Sequence, residues 1–219
     1  QQPTLFPYTT LFRSTADGAG ARVPLMIGAT AAEFASVVDR IPGPALVPGA
    51  AVALRAQQVP VRGLGALARQ SAGRSVRTSV GAVIDAASFH STVAVTAEIR
   101  ASVGAADARD DTDPADPAGP APTWVYDFRW SAGRGAAHCA DLPFFWNVPG
   151  AENVRDFLGE DPPGELVAAM HDSWVRFVRD GDPGFPAYAR PDRRVRVWDS
   201  PPEDLDDGLA QVRAVWRPE

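Results

Sequence analysis

Gly135-Ala136-Ala137-His138-Cys139-Ala140-Asp141-Leu142-Pro143-Phe144-Phe145 is the stretch on which the reading of this 219-residue chain turns. The small residues before His138 allow a sharp backbone turn. Behind it, Asp141 can cap a helix whose first turn Pro143 suits, with Leu142, Phe144 and Phe145 as its apolar side. A histidine set between such a turn and such a helix stands at the rim of a sheet. Imidazole, with an ordinary pKa near ~6.5, is mostly uncharged at neutral pH and can accept a proton. To serve as a base it also needs a carboxylate on its other nitrogen, which fixes the tautomer and stabilises the imidazolium. A lone histidine in a turn needs no such role, so the partner has to be sought elsewhere in the chain.

Upstream, Val23-Pro-Leu-Met-Ile-Gly28 reads as a short buried strand ending at a glycine. Thr30 and Glu33 stand at capping-box spacing before a helix striped by Phe34, Val37 and Val38. Residues 42–61 are rich in proline, glycine and alanine and carry no periodic pattern. Helices are predicted over 64–70 and 89–102. Residues 103–122, with repeated aspartate, proline, glycine and alanine and no large apolar residue from Gly104 on, are expected to form an exposed loop. Trp124 to Trp130 is aromatic and β-branched, which marks a strand. A long amphipathic helix is predicted over 165–179, with Met170, Trp174, Phe177 and Val178 on one face, ended by Gly181-Asp182-Pro183. Val195 to Trp198 is a last strand, followed by a charged segment. Strands alternating with helices imply an α/β chain with few, mostly parallel strands and flanking helices. About three strands is few for so much helix, and parallel strands need neighbours, so the expectation is the later part of a larger sheet.

The histidine segment resembles that of the type-B carboxylesterase and cholinesterase family, and other pieces agree. Gly28-Ala-Thr-Ala-Ala-Glu33-Phe34 is similar to the family's strand-turn ending in a catalytic glutamate, although Ala32 and Phe34 replace its usual aspartate and glycine. Phe89 to Ala101 resembles the helix before the penultimate strand, Tyr126 to Trp130 that strand, and Met170 to Tyr188 the C-terminal helix and its exit. The resemblance covers about Val23 to Asp199 and implies the C-terminal portion of an α/β-hydrolase fold. It also implies Glu33 and His138 as acid and base of a Ser-Glu-His triad. Their separation of 105 residues and their order are those of the family. Glu33 could instead merely complete a capping box. Asp141 matches a family acidic position behind the histidine, and a simple helix cap explains it equally well. Cys139 stands where the family usually has glycine and reads as structural, since the functional atoms of adjacent residues rarely meet. Phe144, Phe145 and Trp146 read as core in preference to an acyl pocket, and His90 and His171 as exposed helix positions. The spaced ligand pairs that zinc prefers are absent, so neither metal nor cofactor is expected.

No Gly-x-Ser-x-Gly occurs in the sequence, and no His-Gly-Gly run that would build an oxyanion hole. The expectation is therefore a piece of a serine carboxylesterase, inactive alone, with no nucleophile in this chain. Its partners would be a small-molecule ester and the N-terminal half of the same protein. An esterase-like interaction module that has lost catalysis is the alternative, and unrelated acid-base work by Glu33 and His138 a third. The first residues agree with a truncated start: Thr4 to Ser14 reads like a translated sequencing adapter, and residues 1–14 are set aside as an artefact ahead of a 15–219 domain.

Composition narrows the classes further. The net charge of −6 disfavours nucleic acid, whose phosphates reward a basic face. All 21 basic residues are arginine, a mark of GC-rich coding with no functional weight. A single cysteine rules out an internal disulfide. No apolar run approaches the ~20 residues that cross a bilayer, and no secretory signal is visible, so no membrane and a cytoplasmic location are expected.

Overall fold

The computed structural model describes residues 14–34, 38–56, 73–107, 120–132, 135–159 and 161–216. The expected helix over 64–70 and the adapter-like residues 4–13 lie outside them. Among the described residues, β1 (Leu25–Thr30), β2 (Thr123–Phe128), β3 (Val195–Trp198) and β4 (Glu203–Leu205) form one four-stranded sheet in that order. The first three are parallel, as alternation with helices requires, and β4 returns antiparallel along β3. β4 was not foreseen, because three residues reading Glu-Asp-Leu carry no strand pattern. It is held by register instead: Asp204 lies opposite Arg196 and binds its guanidinium through both carboxylate oxygens, at 2.6 and 3.0 Å.

β2 lies at the centre and separates two cores. Trp124, Tyr126 and Phe128 point to one face, against Phe144, Phe145, Leu166, Met170 and Trp198, while Val125 points to the other, against Val93, Ala94 and Ala97. The first face is covered by the predicted amphipathic helix, here Gly164–Asp180. Gly181 ends that helix in the left-handed conformation, at φ 74°, and returns its amide to Phe177. Met170 is fully buried and Trp174 and Phe177 pack on the core, but Val178, assigned to the same face, is 70% exposed.

The opposite face is covered by a continuous helical segment longer than expected. It comprises α2 (Val76–Asp85), one wide π-turn (Ala86–His90) and α3 (Ser91–Asp107). Ala94 and Ala97, completely buried, let α3 approach the sheet closely. The segment enters the stretch predicted as loop and continues through Asp107. Val76–Val103 is long and apolar enough to cross a membrane by length and composition, contrary to the expectation from the sequence. More than half of its apolar window is buried against the rest of the protein. A helix α1 (Gly43–Ala56) also forms in the proline-rich region that gave no pattern, with Pro48 inside it. Leu46 and Ala50 pack against Val38 and Ile84 there, so burial overrides poor propensity. The charged C-terminal segment contains the helix Ala210–Trp216.

Gly28 shows how closely β1 fits β2. It stands opposite Tyr126, and a Cβ at this position would lie 2.5 Å from the ring atoms Cδ1 and Cδ2 of Tyr126. Gly28→Ala is therefore expected to destabilise the chain by about 1–3 kcal/mol through overpacking, read as a lower urea midpoint with unchanged slope.

Candidate functional site

Two turns meet at the end of the sheet from which the parallel strands emerge. One follows β1 and carries Glu33; the other follows β2 and carries His138. A single parallel bridge joins Ala32 to Ala137, with the Ala32 amide on the Ala136 carbonyl at 2.9 Å. The next residue of each turn is then Glu33 or His138, and the two side chains lie together.

Glu33 is 8% exposed and uses both oxygens. Oε1 accepts the Thr30 amide at 2.9 Å, and Oε2 accepts Nδ1–H of His138 at 2.5 Å. Half of a capping box is thus present, because Glu33 does reach back to Thr30. The other half is not: Thr30 ends β1, and its buried hydroxyl has no partner among the described residues. The bond back to Thr30 and the pairing with histidine, weighed as alternatives from the sequence, use different oxygens of one side chain. With its proton on Nδ1, the neutral His138 ring keeps Nε2 free to accept another, and the side chain is 62% exposed. Phe89 lies beside the ring, centroids 6.1 Å apart.

Asp141 opens the short helix Leu142–Phe145 but makes no side-chain capping bond. Its carboxylate accepts the Tyr126 hydroxyl at 3.1 Å. Burial holds the Asp141 carboxyl above its ordinary range, and the nearby Glu33 charge acts the same way, against the lowering effects of Tyr126 and His138. The capping account is therefore corrected: Asp141 is a buried acid tied to the sheet by Tyr126. Cys139 has φ 65°, the left-handed conformation in which glycine is most at ease. Burial raises its thiol pKa, and the Asp141 and Glu33 charges add to this, opposite to the shift a nucleophilic cysteine needs.

Phe144 and Phe145 are buried in the core, whereas Trp146 is 61% exposed, edge-on to Trp174. His90 and His171, expected at exposed positions, are half-buried and bonded. The Nε2–H of His90 donates to the Thr30 carbonyl at 3.1 Å, and Nδ1–H of His171 to the Phe145 carbonyl at 2.8 Å. Among the described residues, no group of three or more His, Cys, Asp or Glu side chains is placed to hold a metal ion. One buried acid went unnoticed in the sequence. Asp85, 3% exposed, accepts the Phe34 amide at 2.7 Å. Its carboxyl is pushed up to about 7, chiefly by burial and further by Glu33, against the Phe34 hydrogen bond. A single acid within Val80-Gly-Ala-Val-Ile-Asp85-Ala-Ala was the available signal.

No protein-family model matches the chain. In sequence it is 30% identical to the para-nitrobenzyl esterase of Bacillus subtilis over 90 residues, covering 36% of this chain and 18% of that protein. In structure it is similar to carboxylesterase EST55 of Geobacillus stearothermophilus, with a TM-score of 0.70 and 21% identity over 94% of this chain and 43% of that one. A thermophilic para-nitrobenzyl esterase gives 0.68 and 18% identity, covering 94% and 41%. Juvenile hormone esterase of Manduca sexta gives 0.56 and 16%, covering 93% and 42%. The chain spans less than half the length of each of these relatives. Over that span, its strand order and these likenesses give the chain the α/β-hydrolase fold in the form seen in carboxylesterases.

Proposed function

We propose that this chain supplies the acid and the base of a serine carboxylesterase whose nucleophile and oxyanion hole belong to an earlier part of the same protein. The observation that carries this reading is the 2.5 Å bond between Glu33 Oε2 and His138 Nδ1. Glu33 fixes the tautomer, and Nε2 of His138 takes the proton of a serine hydroxyl as its oxygen attacks the ester carbonyl. The same nitrogen then returns the proton to the departing alcohol, and water repeats the sequence to release the acid. Asp141 and Tyr126 support the wall behind the histidine. The substrate is a small-molecule carboxylic ester.

The purified chain is expected to show no burst of p-nitrophenol from p-nitrophenyl acetate, and no turnover above that of its His138→Ala variant. A longer gene product that includes the upstream reading frame is expected to be labelled at a serine by a fluorophosphonate, and to lose the label in His138→Ala. A burst from the short chain that vanishes in His138→Ala would overturn the assignment of the nucleophile to an earlier segment. A longer product without a reactive serine would overturn the esterase reading and favour an interaction module.

A further inference from the structure

Glu33 stands on a four-residue turn, and both ends of that turn are held by one helical segment. At the far end, the Phe34 amide donates to Asp85 at 2.7 Å. At the near end, the Thr30 carbonyl accepts from His90 Nε2 at 3.1 Å, and the Thr30 amide in turn holds Glu33 Oε1. We propose that Asp85 and His90 are positioning residues, which clamp the Glu33 turn from the two ends of the π-turn and so aim the carboxylate at His138. This deepens the reading of Glu33 and His138 as acid and base and rests on it.

The π-turn gives the clamp its geometry. Residues five apart on a regular α-helix point roughly 140° away from each other, so they could not both reach one short turn. Here the Ser91 amide bonds to the Ala86 carbonyl five residues back, and this wider turn brings positions 85 and 90 toward the same side. Phe89, between them, contacts both halves of the site: its ring centroid is 5.3 Å from Phe34 and 6.1 Å from His138. Packing alone gives no reason for Asp85, because a carboxyl buried among apolar residues is unfavourable and a single amide offsets little of that. A carboxyl at this place does satisfy the amide next to Glu33. Its raised pKa also limits the negative charge set beside the Glu33 carboxylate. Among the described residues, a cleft of about 380 Å³ lined by Ala31, Ala32, Val38, Arg77 and Asp85 adjoins the turn, which leaves it room to shift once unpinned.

The test uses the full chain labelled with ¹⁵N-histidine, with the ratio of Nδ1–H to Nε2–H at His138 read by long-range ¹H–¹⁵N correlation. Glu33→Gln is the reference for complete loss. Asp85→Ala and His90→Leu, each confirmed as folded by circular dichroism, are expected to lower the ratio roughly tenfold, the scale of one charge-assisted hydrogen bond. Asp85→Asn, which keeps an acceptor for the Phe34 amide, is expected to stay within about twofold of the parent. His90 is half-buried, so His90→Leu decides the question if Asp85→Ala does not fold. An unchanged ratio in folded His90→Leu or Asp85→Ala, beside a loss in Glu33→Gln, would overturn the clamp alone. An unchanged ratio in Glu33→Gln would overturn the acid–base reading and the clamp with it.

Discussion

Glu98→Ala is expected to lower the stability of the chain by about 3–5 kcal/mol, the scale of a buried ion pair broken from one side. Glu98 lies on α3 and is 4% exposed. It accepts the Tyr188 hydroxyl and Arg193 Nε at 2.7 Å and Arg190 Nη2 at 2.6 Å, with Arg213 Nε 3.9 Å away. Burial by itself would raise the carboxyl pKa; the bonds from Tyr188, Arg193 and Arg190 outweigh it and bring the pKa down from 4.5 to about 2. The network joins α3 to the loop that leads into β3, so it holds β3 beside the strand from which His138 emerges. Removing the carboxylate leaves arginines facing one another across a space without their counter-charge. A depressed carboxyl pKa also gives the effect a sign in pH. The contribution is complete above about 4.5 and is lost as pH falls through about 2, where protonation in the folded state removes the charge. The difference between parent and Glu98→Ala in urea unfolding is thus expected to be largest at neutral pH and to shrink by about 3 kcal/mol towards pH 2. A difference below about 1 kcal/mol at pH 7 would mean that solvent already satisfies these charges.

What the sequence made legible follows from where the chemistry is local. The strand Val195–Trp198, the helix closed by Gly181 and the strand begun near Trp124 each carry their period, their stop signal or their β-branched run within a few residues. α1 was illegible because its stability comes from Val38 and Ile84, distant in sequence, and not from its Gly-Pro-Ala composition. β4 was illegible for the same reason, being fixed by Arg196 across the sheet. At the site, the order and spacing of Glu33 and His138 were visible, but the Ala32–Ala137 bridge that brings them side by side was not. Asp85 and His90 lie further from reach still. Their joint position depends on a single wide helical turn, and no residue in Ala86-Ala-Ser-Phe-His90 announces one.

In the longer protein proposed above, Glu33→Gln is expected to reduce kcat for ester hydrolysis by ~10⁴, with KM little changed, by the logic that removing the triad carboxylate's charge presents the wrong histidine tautomer. The geometry makes the outcome specific. The substituted amide side chain would keep an oxygen for the Thr30 amide, which Glu33 Oε1 now accepts, so the turn retains its hold on β1. It would place an NH₂ group where Oε2 now receives His138 Nδ1–H, and two donors cannot share that 2.5 Å contact. The imidazole then answers by moving its proton to Nε2, the nitrogen that must accept the serine proton. Glu33 is buried and engaged with Thr30 and His138, so the expected loss falls on the chemical step and not on binding. Glu33→Asp, shorter by one methylene but still charged, is expected to fall between the parent and Glu33→Gln. A loss in KM with kcat intact would assign Glu33 to binding. Full activity in Glu33→Gln would show that His138 is oriented by another group, for which the buried Asp141, held by Tyr126 and electrostatically coupled to His138, is a candidate.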